Sequence, residues 1–300
     1  MYEVTHRELV KAIQEHYKLA QELPKEDKDV PAMFIWGEPG IGKTYSVRDA
    51  GRIIAEAEHL KFSFKNPEDY QGDKDKFVVI PLIMSQMDAS DLKGVPMNDG
   101  GFTKWLIPNN LPLRGQGIIF FDELNRAPDL VRSSCYSLIH GGYLGDYILP
   151  SSYLIIGAGN RVEDRVGVYD MEATLANRFA HYRLLIPTPE DWIKNYAFPN
   201  ALDHRIIAYM HFRGKHLHQY DPKIKTSMAF PTPRSWEMTS HLIKGKDDVS
   251  LAYSTIGQTA QDFEAFVKLL QGVDVEKVLD GKQAFPSKEK PDQRYAIIAA

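Results

Sequence analysis

Four short apolar runs constrain this chain more than any other feature: "AMFIW" (32–36), "FVVIPLIM" (77–84), "GIIFFD" (117–122) and "YLIIGAGN" (153–160). Each is close to continuous in apolar residues rather than alternating. An alternating strand keeps one face in water, whereas a continuous one is buried on both, as inside a parallel sheet covered by helices. Helix-like stretches separate the runs, notably "KTYSVRDAGRIIAEAEHL" (43–60) and "APDLVRSSCYSLIHGG" (127–142). This alternation predicts a wound α/β domain with a parallel sheet over the first two thirds of the chain. Ahead of it, Thr5 and Glu8 have capping-box spacing, and Leu9, Ile13, Tyr17 and Ala20 fall on one helical face. An amphipathic helix is expected to lead into the domain.

The pattern changes at "LLIPTPEDW" (184–192), where two prolines interrupt it. Beyond that point no buried strand run appears. "PEDWIKNYA", "LDHRIIAYMHF", "PRSWEMTSHLIKG" and "TIGQTAQDFEAFVKLLQG" all read as helices. The expected division is residues 1–187 as an αβα core with its N-terminal helix, and residues 188–300 as a small all-α domain. The chain stops in "DQRYAIIAA", helix-like and without a stop signal, so a longer natural protein or a truncation is expected.

Composition excludes several classes. With 300 residues and a net charge of −4, and a pI near 6.2, no global electrostatic attraction draws this chain to nucleic acid or an anionic membrane. The longest apolar runs are far too short to span a bilayer, and the N-terminus has no apolar signal region. Cys135 is the single cysteine, which rules out an intrachain disulfide and points to a reducing, cytoplasmic setting. It lies in a helix-like stretch and reads as a small core residue rather than a nucleophile.

Between the first apolar run and the first long helix stands Gly37-Glu38-Pro39-Gly40-Ile41-Gly42-Lys43-Thr44, followed by Tyr45. The spacing is G-x-x-x-x-G-K-[ST], with a strand before and a helix after. Glycines let backbone N–H groups converge on an anion at a helix N-terminus. Lys43 adds a cation for β- and γ-phosphates, and the Thr44 hydroxyl is a ligand for Mg²⁺. A plain glycine turn needs neither the lysine nor the hydroxyl. The stretch therefore predicts an ATP-type phosphate site.

"GIIFFDELNRAP" (117–128) is its natural partner: a buried strand ends in Asp122-Glu123, at the sheet edge where open α/β sheets bind ligands. One carboxylate can hold a metal shell while its neighbour orients or deprotonates water. Asn160 ends another apolar strand, where it either positions water, senses a γ-phosphate or simply forms a turn. Arg178 in "LANRF" and Arg234 in "PTPRSW" are isolated arginines that gain meaning only from what surrounds them.

Taken in order, "GEPGIGKT", "DLKG" (91–94), "FFDELNRAP", "YLGDYILPSSYLIIGAGN", "LANRF" and "PTPRSW" resemble the AAA+ ATPases, and within them the MoxR-like branch of the CbbQ and NorQ type. The likeness runs from about residue 5 to 270, and "DELNRA" is its most specific piece. It implies an αβα P-loop core with a parallel sheet and a small helical lid. It also implies a homo-oligomeric ring, usually of six subunits, with ATP at subunit interfaces. Lys43 and Thr44 match the Walker A pair, and Asp122 and Glu123 match Walker B. Asn160 looks like sensor 1, Arg234 like sensor 2, and Arg178 like the arginine finger that serves the neighbouring subunit. The activity implied is Mg²⁺-dependent ATP hydrolysis coupled to remodelling or activating a protein client, as a chaperone does. A DNA-acting AAA+ motor or helicase loader is the alternative on the same engine.

Two departures matter. Where the branch commonly has proline after the sensor asparagine, this chain has Arg161, with Arg165 close behind; either competes with Arg178 for the finger role. No von Willebrand-type domain follows the helical segment in these 300 residues, so a client is expected to be recognised through a partner, such as a von Willebrand-type domain protein, or through further chain. The segment 85–108 sits where the branch inserts a helix and hairpin. "NDGGF" reads as a hairpin tip, with Phe102 or Trp105 either facing a ring pore or packed under the loop. The cluster His211, His216 and His218 lacks an accompanying carboxylate or cysteine set, and an exposed basic loop is expected there rather than a metal site.

Overall fold

The computed structural model describes residues 1–22, 30–71, 73–160, 173–221, 228–270 and 294. Arg161, Arg165, part of the basic stretch 211–225 and most of the C-terminal "DQRYAIIAA" lie outside the described residues. Contacts divide the chain into two units, one of Met1–Glu38 with Gly42–Leu185, the other of Pro39–Ile41 with Ile186–Ala300.

In the first unit, β1 (Tyr2–Val4) leads into α1 (His6–Glu22), followed by β2 (Ala32–Trp36), α2 (Lys43–Ala57), β3 (Lys61–Phe64) and β4 (Lys76–Ile83). Next come α3 (Ala89–Lys93), the strands β5 (Val95–Asp99) and β6 (Phe102–Leu106), then β7 (Gln116–Asp122) and α4 (Asp129–Gly141). The short strands β8 (Tyr143–Leu144) and β9 (Tyr147–Ile148) precede β10 (Tyr153–Gly159), α5 (Ala173–Ala176) and β11 (Phe179–Leu184). Seven strands form one sheet among the described residues, in the order β1-β11-β2-β10-β7-β4-β3. Every pairing in it is parallel. The four continuous apolar runs are its four central strands.

The reason lies in burial. Phe34, Val78, Ile80, Ile119 and Phe121 are among the side chains packed in the core with no solvent exposure, each contributing about 1.5–3 kcal/mol of transfer free energy. The flanking strands are different in kind. β3 reads "KFSF" and β11 "FAHYRL", mixing polar with apolar residues, because an edge or near-edge strand is covered less completely. The expected helix at the N-terminus is α1, capped by reciprocal Thr5–Glu8 bonds: Thr5 N–H donates to Glu8 Oε2 at 2.8 Å and Glu8 N–H to Thr5 Oγ1 at 3.4 Å. The segment after β4 forms α3 and the antiparallel hairpin β5–β6. Its tip is Gly100-Gly101, where Gly101 N–H donates to Asn98 Oδ1 at 2.9 Å. Phe102 stands 80% exposed there, while half-buried Trp105 faces Gly145 between β8 and β9.

The second unit has helices and no strand among its described residues. It contains α6 (Pro189–Trp192) with a π-turn after it, α7 (His204–Phe212), α8 (Pro233–Ile243), α9 (Tyr253–Ile256) and α10 (Thr259–Leu270). Its core gathers Trp192, Tyr209, Trp236, Phe263 and Phe266. Thr232 opens α8 with a capping box, accepting from Ser235 N–H at 3.0 Å. His216 belongs to this core: its Nδ1 lies 2.6 Å from the Tyr209 hydroxyl, and burial holds its pKa below the ordinary histidine range.

Candidate functional site

The glycine loop begins where β2 ends and finishes where α2 starts. Gly42 is the N-cap of α2 at φ 106°, a backbone conformation that a side chain would strain, and no side chain caps this helix end. An uncapped N-terminus, with its positive dipole end and its first-turn N–H groups, is the physical basis of an anion site. Gly40 also has positive φ, at 78°. Pro39, Gly40 and Ile41 group with the second unit, whereas Gly37, Glu38 and Gly42 to Tyr45 group with the first.

Parallel pairing brings the remaining groups of the first unit together. Gly159 on β10 is level with Trp36 on β2, and Asp122 on β7 is level with Ile83 on β4. The C-terminal ends of these adjacent strands therefore deliver Gly37, Asp122-Glu123 and Asn160 to one edge. Lys43 Nζ donates to Asn160 Oδ1 at 2.8 Å and to the carbonyls of Gly37 at 2.7 Å and Glu38 at 3.0 Å. The Thr44 hydroxyl donates to Asp122 Oδ2 at 3.0 Å, and the other Asp122 oxygen accepts the Glu123 N–H at 3.0 Å. Hydroxyl and carboxylate oxygens side by side are the donor set a hard cation such as Mg²⁺ takes, so Thr44 and Asp122 fit the ion expected there. Tyr45, half-buried, follows on α2, its ring 5.2 Å from that of His6.

Glu123 occupies the left-handed region at φ 55°, ψ 32°. For a residue with a side chain this costs about 1 kcal/mol or more. Its carboxylate accepts from Ser85 Oγ at 2.6 Å and pairs with Arg126 Nη1 at 3.2 Å. Arg126 falls within the "DELNRA" motif without a role assigned to it, and Ser85 is given none. Ser85 lies two residues past the end of β4, the neighbour of β7, so the signal was a polar residue just after an apolar strand. Asn125, in the same motif and likewise without an assigned role, is buried and donates from Nδ2 to the Asn160 carbonyl at 2.6 Å.

The motifs mark two arginines as well, Arg178 in the first unit and Arg234 in the second, where the Arg234 backbone N–H donates to the Gly40 carbonyl at 3.2 Å. Arg178 sits in the turn between α5 and β11, half-buried, its backbone N–H donating to Leu175 at 3.1 Å. Arg234 is the second residue of α8 in the second unit, its side chain exposed. Cys135 is fully buried in α4, and desolvation pushes its thiol pKa far up, which removes it as a nucleophile. No described helix is long and apolar enough to cross a membrane.

No family model matches the chain. Over 246 residues it is 26% identical to the magnesium-chelatase subunit ChlI of Olisthodiscus luteus, a similarity that takes in 72% of this chain and 73% of that protein. Among solved structures, a Thermotoga maritima RuvB variant gives a TM-score of 0.42 at 15% identity, covering 95% of this chain and 80% of its own. A closed-state reconstruction of Hsp104 gives 0.43 at 13%, covering 92% of this chain; this chain spans only 45% of that one. The chain thus combines a parallel-sheet α/β core with a sequence likeness to a magnesium-chelatase subunit.

Proposed function

We propose that this chain is a Mg²⁺-dependent ATPase of the MoxR-like branch, working in the cytoplasm as a ring, hexameric in the usual case, that spends ATP hydrolysis on remodelling or activating a protein client. One observation carries the reading: a single bonded network joins Lys43 to Asn160 and Thr44 to Asp122, with Glu123 as the next residue. That set supplies each function that phosphoryl transfer to water needs. Lys43 and the α2 N-terminus hold the phosphates. Thr44 and Asp122 would hold Mg²⁺, which when bound supplies positive charge at the phosphate oxygens. Glu123 aligns the attacking water and takes its proton, and Asn160 fixes the position of Lys43. Arg234 and a neighbouring subunit's Arg178 are the groups we assign to the developing negative charge, a role that contributes ~10³–10⁵ in rate when an arginine finger fills it.

The client is the least specified part. The acidic balance of the chain favours a protein over nucleic acid, and a partner of von Willebrand type is the one the branch resemblance suggests. The test of the activity is direct. Glu123→Gln keeps the volume and removes the base, so nucleotide affinity should stay within about twofold of wild type while turnover falls at least about a hundredfold. A Glu123→Gln protein that hydrolyses ATP at the wild-type rate would remove Glu123 from the mechanism, and a wild-type protein that binds no ATP would remove the mechanism.

A further inference from the structure

Asn125 lies in the tight turn Leu124–Arg126 that follows the carboxylate pair, 2% exposed. Its Nδ2 donates to the backbone carbonyl of Asn160 at 2.6 Å. A carbonyl only accepts, so the amide nitrogen must face Asn160 and the amide oxygen must point the other way. There, Oδ1 is buried and has no hydrogen-bond partner among the described residues. An unpartnered buried acceptor is unfavourable, and what the asparagine supplies that an apolar side chain of similar volume would not is the Nδ2 bond to the Asn160 carbonyl.

The surroundings are shaped to admit it. A Cβ on Gly159 would stand 2.2 Å from Asn125 Oδ1 and 3.1 Å from the Phe34 ring, so only glycine at the end of β10 leaves room. The same short segment is held from two further directions. The Gly159 carbonyl accepts the Gly37 N–H at 3.3 Å, and Asn160 Oδ1 accepts from Lys43 Nζ at 2.8 Å. Asn125 is thus the link between the turn that carries Glu123 and the segment that carries Asn160.

We infer that Asn125 is a positioning residue for hydrolysis: by gripping the Asn160 backbone it sets the Asn160 carboxamide against Lys43 and keeps that pair in register with Glu123. This rests on the ATPase reading above. It touches neither water nor phosphate itself and acts through Asn160.

The test is a double-mutant cycle in steady-state ATP hydrolysis, with nucleotide binding and thermal melting measured beside it on the full chain. The variants are Asn125→Ala, Asn125→Asp, Asn160→Ala and the Asn125→Ala/Asn160→Ala pair. Asn125→Asp preserves volume but turns an acceptor towards the Asn160 carbonyl, so it can be read if the alanine variant does not fold. In both single Asn125 variants kcat should fall about tenfold or more, with KM for ATP within about threefold of wild type. The pair should be no slower than Asn160→Ala alone, because the two residues act as one unit. A wild-type kcat in the Asn125 variants, or a pair whose loss is the product of the single losses, overturns the inference. A wild-type protein without ATP turnover overturns the activity and this inference together, whereas normal wild-type turnover with indifferent Asn125 variants overturns this inference alone.

Discussion

Glu123 shows how much a single residue's surroundings decide. Its left-handed backbone aims the carboxylate at Ser85 and Arg126, 2.6 and 3.2 Å away, so the proposed base is engaged by two donors. A carboxylate oxygen already accepting the Ser85 hydroxyl is turned from other partners, and a water must compete for it. Removing one hydrogen bond of this kind is worth about 1 kcal/mol, or about fivefold in a rate. Ser85→Ala should therefore raise basal ATP turnover about fivefold while leaving nucleotide affinity unchanged, read by coupled ATPase assay and by fluorescent-nucleotide titration. A variant slower than wild type would show that Ser85 aims Glu123 rather than restraining it. At this scale the sequence was a partial guide. Lys43, Thr44, Asp122, Glu123 and Asn160 carry a spacing or a strand end that flags them. Ser85 carries none and Asn125 only its place in "DELNRA", because their roles depend on β4 lying beside β7 and on a turn docking against β10.

Among the elements, the ones legible in advance were those whose burial is complete. β2, β4, β7 and β10 announce themselves as unbroken apolar runs, since both faces are covered. β1, β3 and β11 do not, since a strand near the edge keeps polar side chains and its pattern resembles that of a loop. The hairpin β5–β6 was readable at its tip from Asn98 and the two glycines, but not which face it shows to solvent. Val95, Met97, Phe102 and Leu106 are all exposed on it. An exposed side chain loses little on truncation, so Phe102→Ser should shift unfolding free energy by less than about 0.5 kcal/mol, measured by urea titration; a larger loss would mean that the ring packs on something. Within the second unit the telling element is the start of α7. Burial alone would raise the Asp203 carboxyl, but the Arg205 bonds at 2.9 and 2.8 Å, together with the Arg205 N–H at 3.0 Å, outweigh it and hold the pKa below its ordinary value. Because the folded-state pKa is depressed, this contribution is present in full above the unfolded value near 3.9 and is lost as the pH falls below about 4. Asp203→Ala leaves Arg205 nearly buried without its partner and removes the helix cap, a loss of about 3 kcal/mol at neutral pH. Circular dichroism against pH should show wild type losing helix below about pH 4 and the variant less stable throughout, with a shallower acid limb. An unchanged acid limb would show that Asp203 contributes nothing to it.

For the whole molecule the open question is whether one chain is a complete engine. Arg178 stands in the turn ahead of β11, its backbone N–H bonded to the Leu175 carbonyl, and the proposed ring assigns it to the neighbour's γ-phosphate. Two variants separate the halves of such a shared site. Arg178→Ala keeps Glu123 but cannot serve a neighbour; Glu123→Gln keeps Arg178 but cannot hydrolyse. Each alone should be inactive, the first by ~10³-fold or more if the arginine acts as a finger. Mixed in equal amounts, they should recover activity, since roughly a quarter of the interfaces in a random ring pair an intact base with an intact arginine. Recovery should grow with total protein concentration and be indifferent to added single- or double-stranded DNA, as suits a chain of net charge −4. A mixture as inactive as its components would mean that Arg178 serves its own chain or none. Turnover by Arg178→Ala alone would pass the finger role to Arg161 or Arg165, and strong DNA stimulation at low salt would replace the protein client with nucleic acid.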